Sequence, residues 1–386
     1  MNAKITILQP IFEALILFMT AGNEIVSIEQ PSAPLSFYQF ALPTTQTRSS
    51  NAVRNPGLFM VLEKCFQTGD DEMCISILKI VLEIYMKDKM NYFILEKHYP
   101  FYLFVDTMAS KGSLVQHKVL EVVEFIMRSL NFIPCNELTA IKVHLREAFA
   151  SGRFNQCNVY LKFLFGIIAL NVHVKDAFRE LLHLDEFIRM VQTGIQGPDE
   201  GDPEKKLTLQ LALDLIVAST KGNVVNAQFV TENFEMSIIK TIFSSGDADL
   251  TNSTTTLIRH LLFLAKNEQL FSSLLQLLFS DPGNLPINMI ILKIFVSALL
   301  ESHKVRVMFR RSGGYICLMA LFLHHENALV YTPNSDMETI SENSLQILVY
   351  IAQIFKVLTI SMRFEPSSAK HFLTEVIQTA IRGAIC

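Results

Sequence analysis

Val305-Arg306-Val307-Met308-Phe309-Arg310-Arg311-Ser312-Gly313-Gly314-Tyr315 decides how this sequence is read, because it ends one amphipathic helix and begins another across a pair of glycines. Val305, Met308 and Phe309 stand three and four residues apart, so they share one helix face. The glycine pair allows a tight turn of positive φ, and the next helix is expected from Tyr315. The same layout recurs upstream in Tyr85 to Phe93, Asn171 to Phe178, Gly222 to Phe229 and Lys266 to Phe271: a helix, a short polar break, then a Phe ahead of another helix. The intervals between the five Phe residues are 85, 51, 42 and 38. With the first taken as a double step, they fit one repeat, and the skipped unit falls at 136–149, where the Phe signature is missing.

Beyond these units, apolar residues keep helical spacing almost throughout, as in Ile75, Leu78, Leu82 and Tyr85, or Leu161, Leu164, Phe165, Ile168 and Val172. No stretch shows sustained two-residue alternation flanked by hairpin signals, so sheet content is expected near zero. The repeat length overlaps the roughly 40–47 residues of armadillo and HEAT units. The fold class is therefore all-α, an armadillo/HEAT-like α-solenoid, expected as a right-handed superhelix of stacked helical repeats. Phe93, Phe178, Phe229, Phe271 and Phe309 are the expected anchors between units, since one unit cannot bury its own apolar face. The expected organisation is an N-terminal amphipathic helix at 1–25, a long loop at 26–55 with one short helix at Ser36 to Leu42, and a repeat domain at 56–386. Within that domain an acidic loop is expected at 194–203 and another loop at 327–341. Phe372 to Ile385 reads as a last helix without a polar cap, which suggests a segment of a longer protein.

Composition narrows the function. Half of the 386 residues are apolar, 18% are charged, and the formal charge is −4 from 33 basic and 37 acidic side chains. That balance lacks the basic face with which a protein displaces counterions from nucleic acid, so no nucleic-acid partner is expected. The mean hydropathy of +0.32 calls for helices with wide apolar faces. Six scattered cysteines in a large apolar chain read as reduced thiols of a cytoplasmic protein. Asn252-Ser253-Thr254 matches the glycosylation pattern by chance on this reading. Gln9, Pro10 and Glu13 interrupt the apolar run Ile5 to Ala21, and Asn288, Lys293, Gln353 and Lys356 interrupt later ones. No transmembrane helix is expected.

The chemistry sought is absent from the sequence. Adjacent His324 and His325 point about 100° apart on a helix, and His173 and His183 lie across a break, so neither pair suits a metal. Cys65 and Cys74 have no second pair at zinc spacing and read as core residues. There is no phosphate-binding Gly-rich loop, no nucleophile elbow and no His-Glu-x-x-His helix. Asp70-Asp71 and Asp199-Glu200 read as solvated turn carboxylates. The chain is expected to have no catalytic, cofactor-binding or metal residues and no cofactor. Lys304, Arg306, Arg310 and Arg311 form the densest basic cluster, more simply read as a solvated helix face than as a site for an acidic partner or lipid. Phe187-Ile188-Arg189-Met190 has the form of a short peptide ligand, but an amphipathic helix produces that form freely.

Val174-Lys175-Asp176-Ala177-Phe178-Arg179-Glu180-Leu181, with Leu184, Phe187 and Ile188, and the Val305 to Tyr315 segment resemble the Phe-Arg-x-x-Gly-Gly units of the armadillo-like N-terminal regions of BEACH-domain proteins. The ALFY-like members, which also carry WD40 and FYVE modules, are the most similar. The resemblance covers Tyr85 to Phe322; His183 stands in place of the second Gly in the Phe178 unit, and the Phe229 and Phe271 units lack the Arg and the Gly pair. It implies a large cytoplasmic scaffold of selective autophagy or vesicle and lysosomal traffic, peripheral to endosomal, lysosomal or autophagic membranes. The function expected is a non-catalytic protein-interaction scaffold with a peptide or helical partner in the solenoid groove. A purely structural spacer, or a membrane-surface module using Ile5 to Ala21 and Lys304 to Arg311, are the alternatives. Partner identity and oligomeric state are left open.

Overall fold

Stretches with three- and four-residue apolar spacing fold as helices in the computed structural model, which describes residues 3–28, 46–170, 172–196, 201–264, 268–325, 342–363 and 366–377. The expected short helix at Ser36 to Leu42, residues 197–200 of the acidic loop, the loop at 327–341 and the stretch beyond 377 lie outside the described residues. Among the described residues the only strands are two-residue segments, β1 (Val26–Ser27) and β2 (Gln46–Thr47), paired antiparallel. The rest of the regular structure is helical, so the all-α, solenoid-like fold class stands.

The chain divides into two compact units: Met1–Glu186 with Asp202–Leu211, and Phe187–Gly201 with Ala212–Cys386. In unit 1, α1 (Ala3–Thr20) is followed by α2 (Phe59–Thr68), α3 (Asp71–Lys87), α4 (Met90–Glu96), α5 (Tyr102–Met108), α6 (Ser113–Ser129), α7 (Cys135–Ala150), α8 (Phe154–Ile167) and α9 (Val172–Glu180). α10 (Leu184–Gln196) and α11 (Pro203–Thr220) contribute residues to both units. Two layers form: α3, α6 and α8 pack side by side, as do α2, α5 and α7, and the layers meet through α2 on α3, α5 on α6 and α7 on α8. This is the stacked architecture in which each helix pair buries the face its neighbour leaves open.

Unit 2 repeats the scheme with α12 (Val224–Asn233), α13 (Met236–Ser244), α14 (Ala248–Leu264), α15 (Glu268–Ser280), α16 (Leu285–Glu301), α17 (His303–Arg311), α18 (Gly314–His324), α19 (Glu342–Met362) and α20 (Pro366–His371). α12, α14, α16 and α19 stack in one row, and α15 packs on α18 in the other. Helix lengths explain the uneven Phe intervals. Three-helix steps end in a long helix, with 7, 7 and 17 residues for α4–α6, 10, 9 and 17 for α12–α14, and 9, 11 and 21 for α17–α19. The step lacking the Phe signature is the two-helix pair α7–α8, of 16 and 14 residues.

Only some of the expected anchors hold. Phe178, Phe271 and Phe309 are fully buried and Phe93 nearly so, but Phe229 is only half-buried, and Ala227 and Val230 fill the core beside it. The reason is register. Asn223 and Ser302 cap α12 and α17 through Asn226 N and Val305 N, and the seventh residue after each cap, Val230 and Phe309, points inward. Phe229 stands one position earlier, about 100° around the helix.

A polar signature escaped the sequence reading. Asn91, Asn226 and Asn288 each donate from Nδ2 to a carbonyl seven residues back, those of Ile84 (2.9 Å), Ser219 (3.2 Å) and Asp281 (2.9 Å). Arg306 does the same to Leu299 O at 2.7 Å. These carbonyls lie in the last turns of α3, α11 and α16 or just past α15, where intrahelical partners thin out; each side chain adds a donor there, beside Asp88 N at the Ile84 carbonyl and Asn284 N at the Asp281 carbonyl, and fixes the turn into the next helix.

The glycine turn also differs from expectation. Gly313 alone takes positive φ (77°), and α18 begins at Gly314, one residue before the expected Tyr315. In the Phe178 unit His183 adopts φ 57° immediately before α10, so it does the work of the first glycine rather than replacing the second. A β-carbon in this region costs about 1–2 kcal/mol. Replacing the exposed His183 by glycine is therefore expected to raise stability by about 0.5–1 kcal/mol, after the extra chain entropy of glycine. The check is a higher urea midpoint at unchanged slope.

Candidate functional site

Because unit 1 is a stack, the starts of α6, α8 and α11 come to one edge and line a groove of about 570 Å³. Ala109, Lys111 and Gln116 form one wall, Arg153, Asn155 and Gln156 the next, and Asp202 with Glu204 the third. Sharp turns make this possible: Gly152 takes φ 68° between α7 and α8, and Asp202 Oδ1 accepts from Glu204 N at 2.9 Å to start α11.

The groove is held by side-chain amides. Asn158 Nδ2 donates to Glu204 Oε2 at 2.7 Å, while its Oδ1 accepts from Thr208 Oγ1 at 2.8 Å. Asn155, with its amide nitrogen turned to Glu204, donates to Oε2 at 2.8 Å. Gln156 Nε2 donates to Tyr160 Oη at 2.9 Å, and Arg153 Nη1 donates to Gln156 Oε1 at 2.8 Å. Lys111 donates to the carbonyls of Gln67 and Gly69 at the end of α2 and lies 5.7 Å over the Phe66 ring. Its charge is thus committed to the fold, whereas Arg153 and Asn155 are exposed. Ser113 also lines the groove, but His117, one turn on, turns its Nδ1 to the Ser113 carbonyl at 2.8 Å rather than to a hydroxyl nucleophile. Amides that both donate and accept match peptide backbone, and Arg153 opposite Asp202 and Glu204 offers both signs of charge.

Residues singled out from the sequence scatter. Arg306 caps α16, and Arg310 Nη1 donates to Ser367 Oγ at 2.7 Å, so two of the four basic side chains serve the fold; Lys304 and Arg311 are exposed. His324 and His325 meet edge-on with centroids 4.8 Å apart, and His325 Nε2 contacts Pro282 O at 3.3 Å. Among the described residues no group of three His, Cys, Asp or Glu side chains could hold a metal ion. Asp70 caps α3 through Met73 N, and Asp71 accepts from Gly112 N at the start of α6, so these carboxylates serve helix ends. Asp199-Glu200 lies outside the described residues. Cys74 is buried and Cys65 half-buried. Phe187, Ile188 and Met190 are core residues, which removes the short motif from the surface. Asn252, the residue that would carry a glycan, is exposed on α14, and Thr254 is buried in the same helix.

Two apolar faces stay open. On α1, Phe12, Ile16 and Met19 are buried, while Ile11, Leu17 and Phe18 are exposed. On α19, Tyr350, Ile351, Ile354 and Val357 are buried, and α19 packs on α16, while Leu345, Leu348, Val349 and Phe355 form an exposed stripe on the opposite face. Leu345–Met362 is long and apolar enough to cross a membrane, with mean hydropathy 1.7, but its inward face is committed to packing.

No family model matches the chain. It is similar to the human WD repeat- and FYVE domain-containing protein 4, with 24% identity over 316 residues, covering 78% of this chain and 10% of that protein. The chain thus spans about a tenth of the length of the curated relative it matches. The likeness is to a WD repeat and FYVE domain protein in general and does not single out the ALFY type.

Proposed function

We propose that the chain is a non-catalytic protein-interaction scaffold whose partner, an extended peptide segment, lies in the groove at the starts of α6, α8 and α11. The observation that carries this reading is the lining itself, in which the exposed Arg153 and Asn155 share one edge with Asp202 and Glu204, so that an amide stands between charges of both signs. Extended repeat surfaces are suited to such contacts. The distant likeness to a WD repeat and FYVE domain protein fits a scaffold role; the BEACH-type setting in cytoplasmic vesicle, lysosomal or autophagic traffic is part of the proposal and rests on the resemblance of the Phe178 and Phe309 units.

The test is selection of a displayed random peptide library on the folded chain, followed by anisotropy titration of the selected peptides. Asn155→Ala and Arg153→Ala are each expected to weaken binding about tenfold, or about 1.4 kcal/mol, and Lys356→Ala to leave it unchanged. Peptides that bind the groove variants as tightly as the parent, or a library that yields none, overturn the groove assignment.

The exposed apolar faces of α1 and α19 favour a second reading, a module that rests on a membrane surface. Sedimentation with phosphatidylcholine vesicles, with and without phosphatidylserine, decides it. Binding lost in Leu17→Glu or Phe355→Glu supports the second reading, and a chain that stays in the supernatant removes it.

A further inference from the structure

The interior of unit 1 holds a group of acids that the groove does not use. Glu137, in the first turn of α7, is 1% exposed, and Tyr92 of α4 and Tyr85 of α3 are 1% and 0% exposed. Tyr92 Oη lies 3.5 Å from Glu137 Oε1 and also shares a hydrogen bond with the Glu96 carboxyl, so one phenol bridges two carboxyls. The Phe101 N–H serves Glu96, and the Tyr102 N–H serves Glu137, both from the start of α5. Three buried polar atoms around this bridge lack partners: Tyr85 Oη, Glu96 Oε2 and, from α2, Glu63 Oε1. What faces the pair is therefore the Glu63 carboxyl from α2, the Tyr85 phenol from α3, backbone N–H groups of α5 and the Cys135 thiol from α7. Lys97, next to Glu96, is exposed.

Two carboxylates sharing one phenol in a desolvated site repel each other, and each charge costs several kcal/mol to bury unpaired. One phenolic O–H cannot satisfy both. We propose that Glu96 and Glu137 are a proton-binding pair, in which one carboxyl is protonated, the bridge through Tyr92 joins α4 to the first turn of α7, and release of the proton to solvent as pH rises loosens this part of unit 1.

Burial first, and for Glu96 the neighbouring Glu137 charge second, holds both carboxyls well above the usual carboxylate range; the hydrogen bonds from Tyr92 and the backbone act in the opposite direction. Burial also pushes Glu63 up to about 7. Since the folded chain keeps protons that the unfolded chain releases, this contribution to stability is complete below the unfolded value and is lost as pH rises through the folded ones. Stability is therefore expected to fall between about pH 5 and 8.

Urea unfolding of the full chain across that window, with carbon-13 NMR of labelled Glu carboxyls, tests the pair. The parent should show a Glu carboxyl titrating about two pH units or more above the usual range, and Glu137→Gln should remove about one proton from the stability slope. Glu63→Gln, which lies outside the bridge, should leave the Glu96 and Glu137 resonances titrating high. If Glu137→Gln does not fold, Glu96→Gln and the parent NMR titration decide. Glu96 and Glu137 both titrating in the usual range, or a Gln variant with the parent slope, overturns the proposal.

Discussion

Gly314→Ala should destabilise unit 2 by about 3 kcal/mol, although it adds a single carbon. A β-carbon built there would stand 2.5–2.6 Å from three atoms of the Phe309 ring. The ring cannot retreat easily. It is fully buried, edge-on to Tyr315 at 5.1 Å and to Phe271 at 6.0 Å, with Phe295 at 6.2 Å. Overpacking in a dense core forces side chains off their rotamers, which is where the loss arises. Gly313→Ala, where no atom lies within 4 Å of the added carbon, should cost only about 1–2 kcal/mol, all of it backbone strain at φ 77°. A double variant, Gly314→Ala with Phe309→Leu, should be more stable than the sum of the two single losses predicts, because the smaller side chain vacates the contested space. Additive losses in urea unfolding would show that the two residues do not share it.

Asn91→Ala is the second large effect, expected at about 3 kcal/mol with the damage concentrated at residues 46–55. Asn91 is fully buried; its Oδ1 accepts from Val53 N at 2.8 Å, and its Nδ2 donates to Asn51 O at 3.0 Å and Ile84 O at 2.9 Å. Truncation strands the amide of Val53, itself fully buried, and takes one donor from the Ile84 carbonyl, which keeps only Asp88 N. The consequence travels to α1, because Arg54 N and Asn55 N donate to Met19 O, and the Arg54 guanidinium donates to Thr20 O at 2.9 Å and Ser49 O at 2.8 Å. Hydrogen exchange should therefore show lost protection at Val53 and at the end of α1, while α12–α14 keep theirs. Unchanged exchange at Val53 would refute this account.

These two sites show how legible the repeat was. Helical spacing around Val305, Met308 and Phe309 is a local property, and the structure buries all three. The equivalence of Phe229 to Phe309 was misread because both follow a polar break, while burial depends on the distance from the helix cap, and that register differs by one residue. The asparagines at seven-residue reach carried no signal, since Asn in a helix is common and its acceptor is fixed only once the preceding helix ends. The groove was expected only in kind. Gln116, Asn155 and Glu204 are far apart in sequence, and nothing local says that the starts of α6, α8 and α11 share an edge.

The all-α class, the stacked repeat, the turn at Gly313 and the lack of recognisable catalytic motifs are readable from local residue patterns, because periodicity, chain breakers and motif spacing act over a few residues. Which phenylalanines anchor, which arginines are spent on helix ends, and the meeting of Glu96 and Glu137 at Tyr92 follow from packing alone. Those outcomes depend on desolvation and on contacts between residues tens of positions apart, and neither quantity exists until the helices have packed.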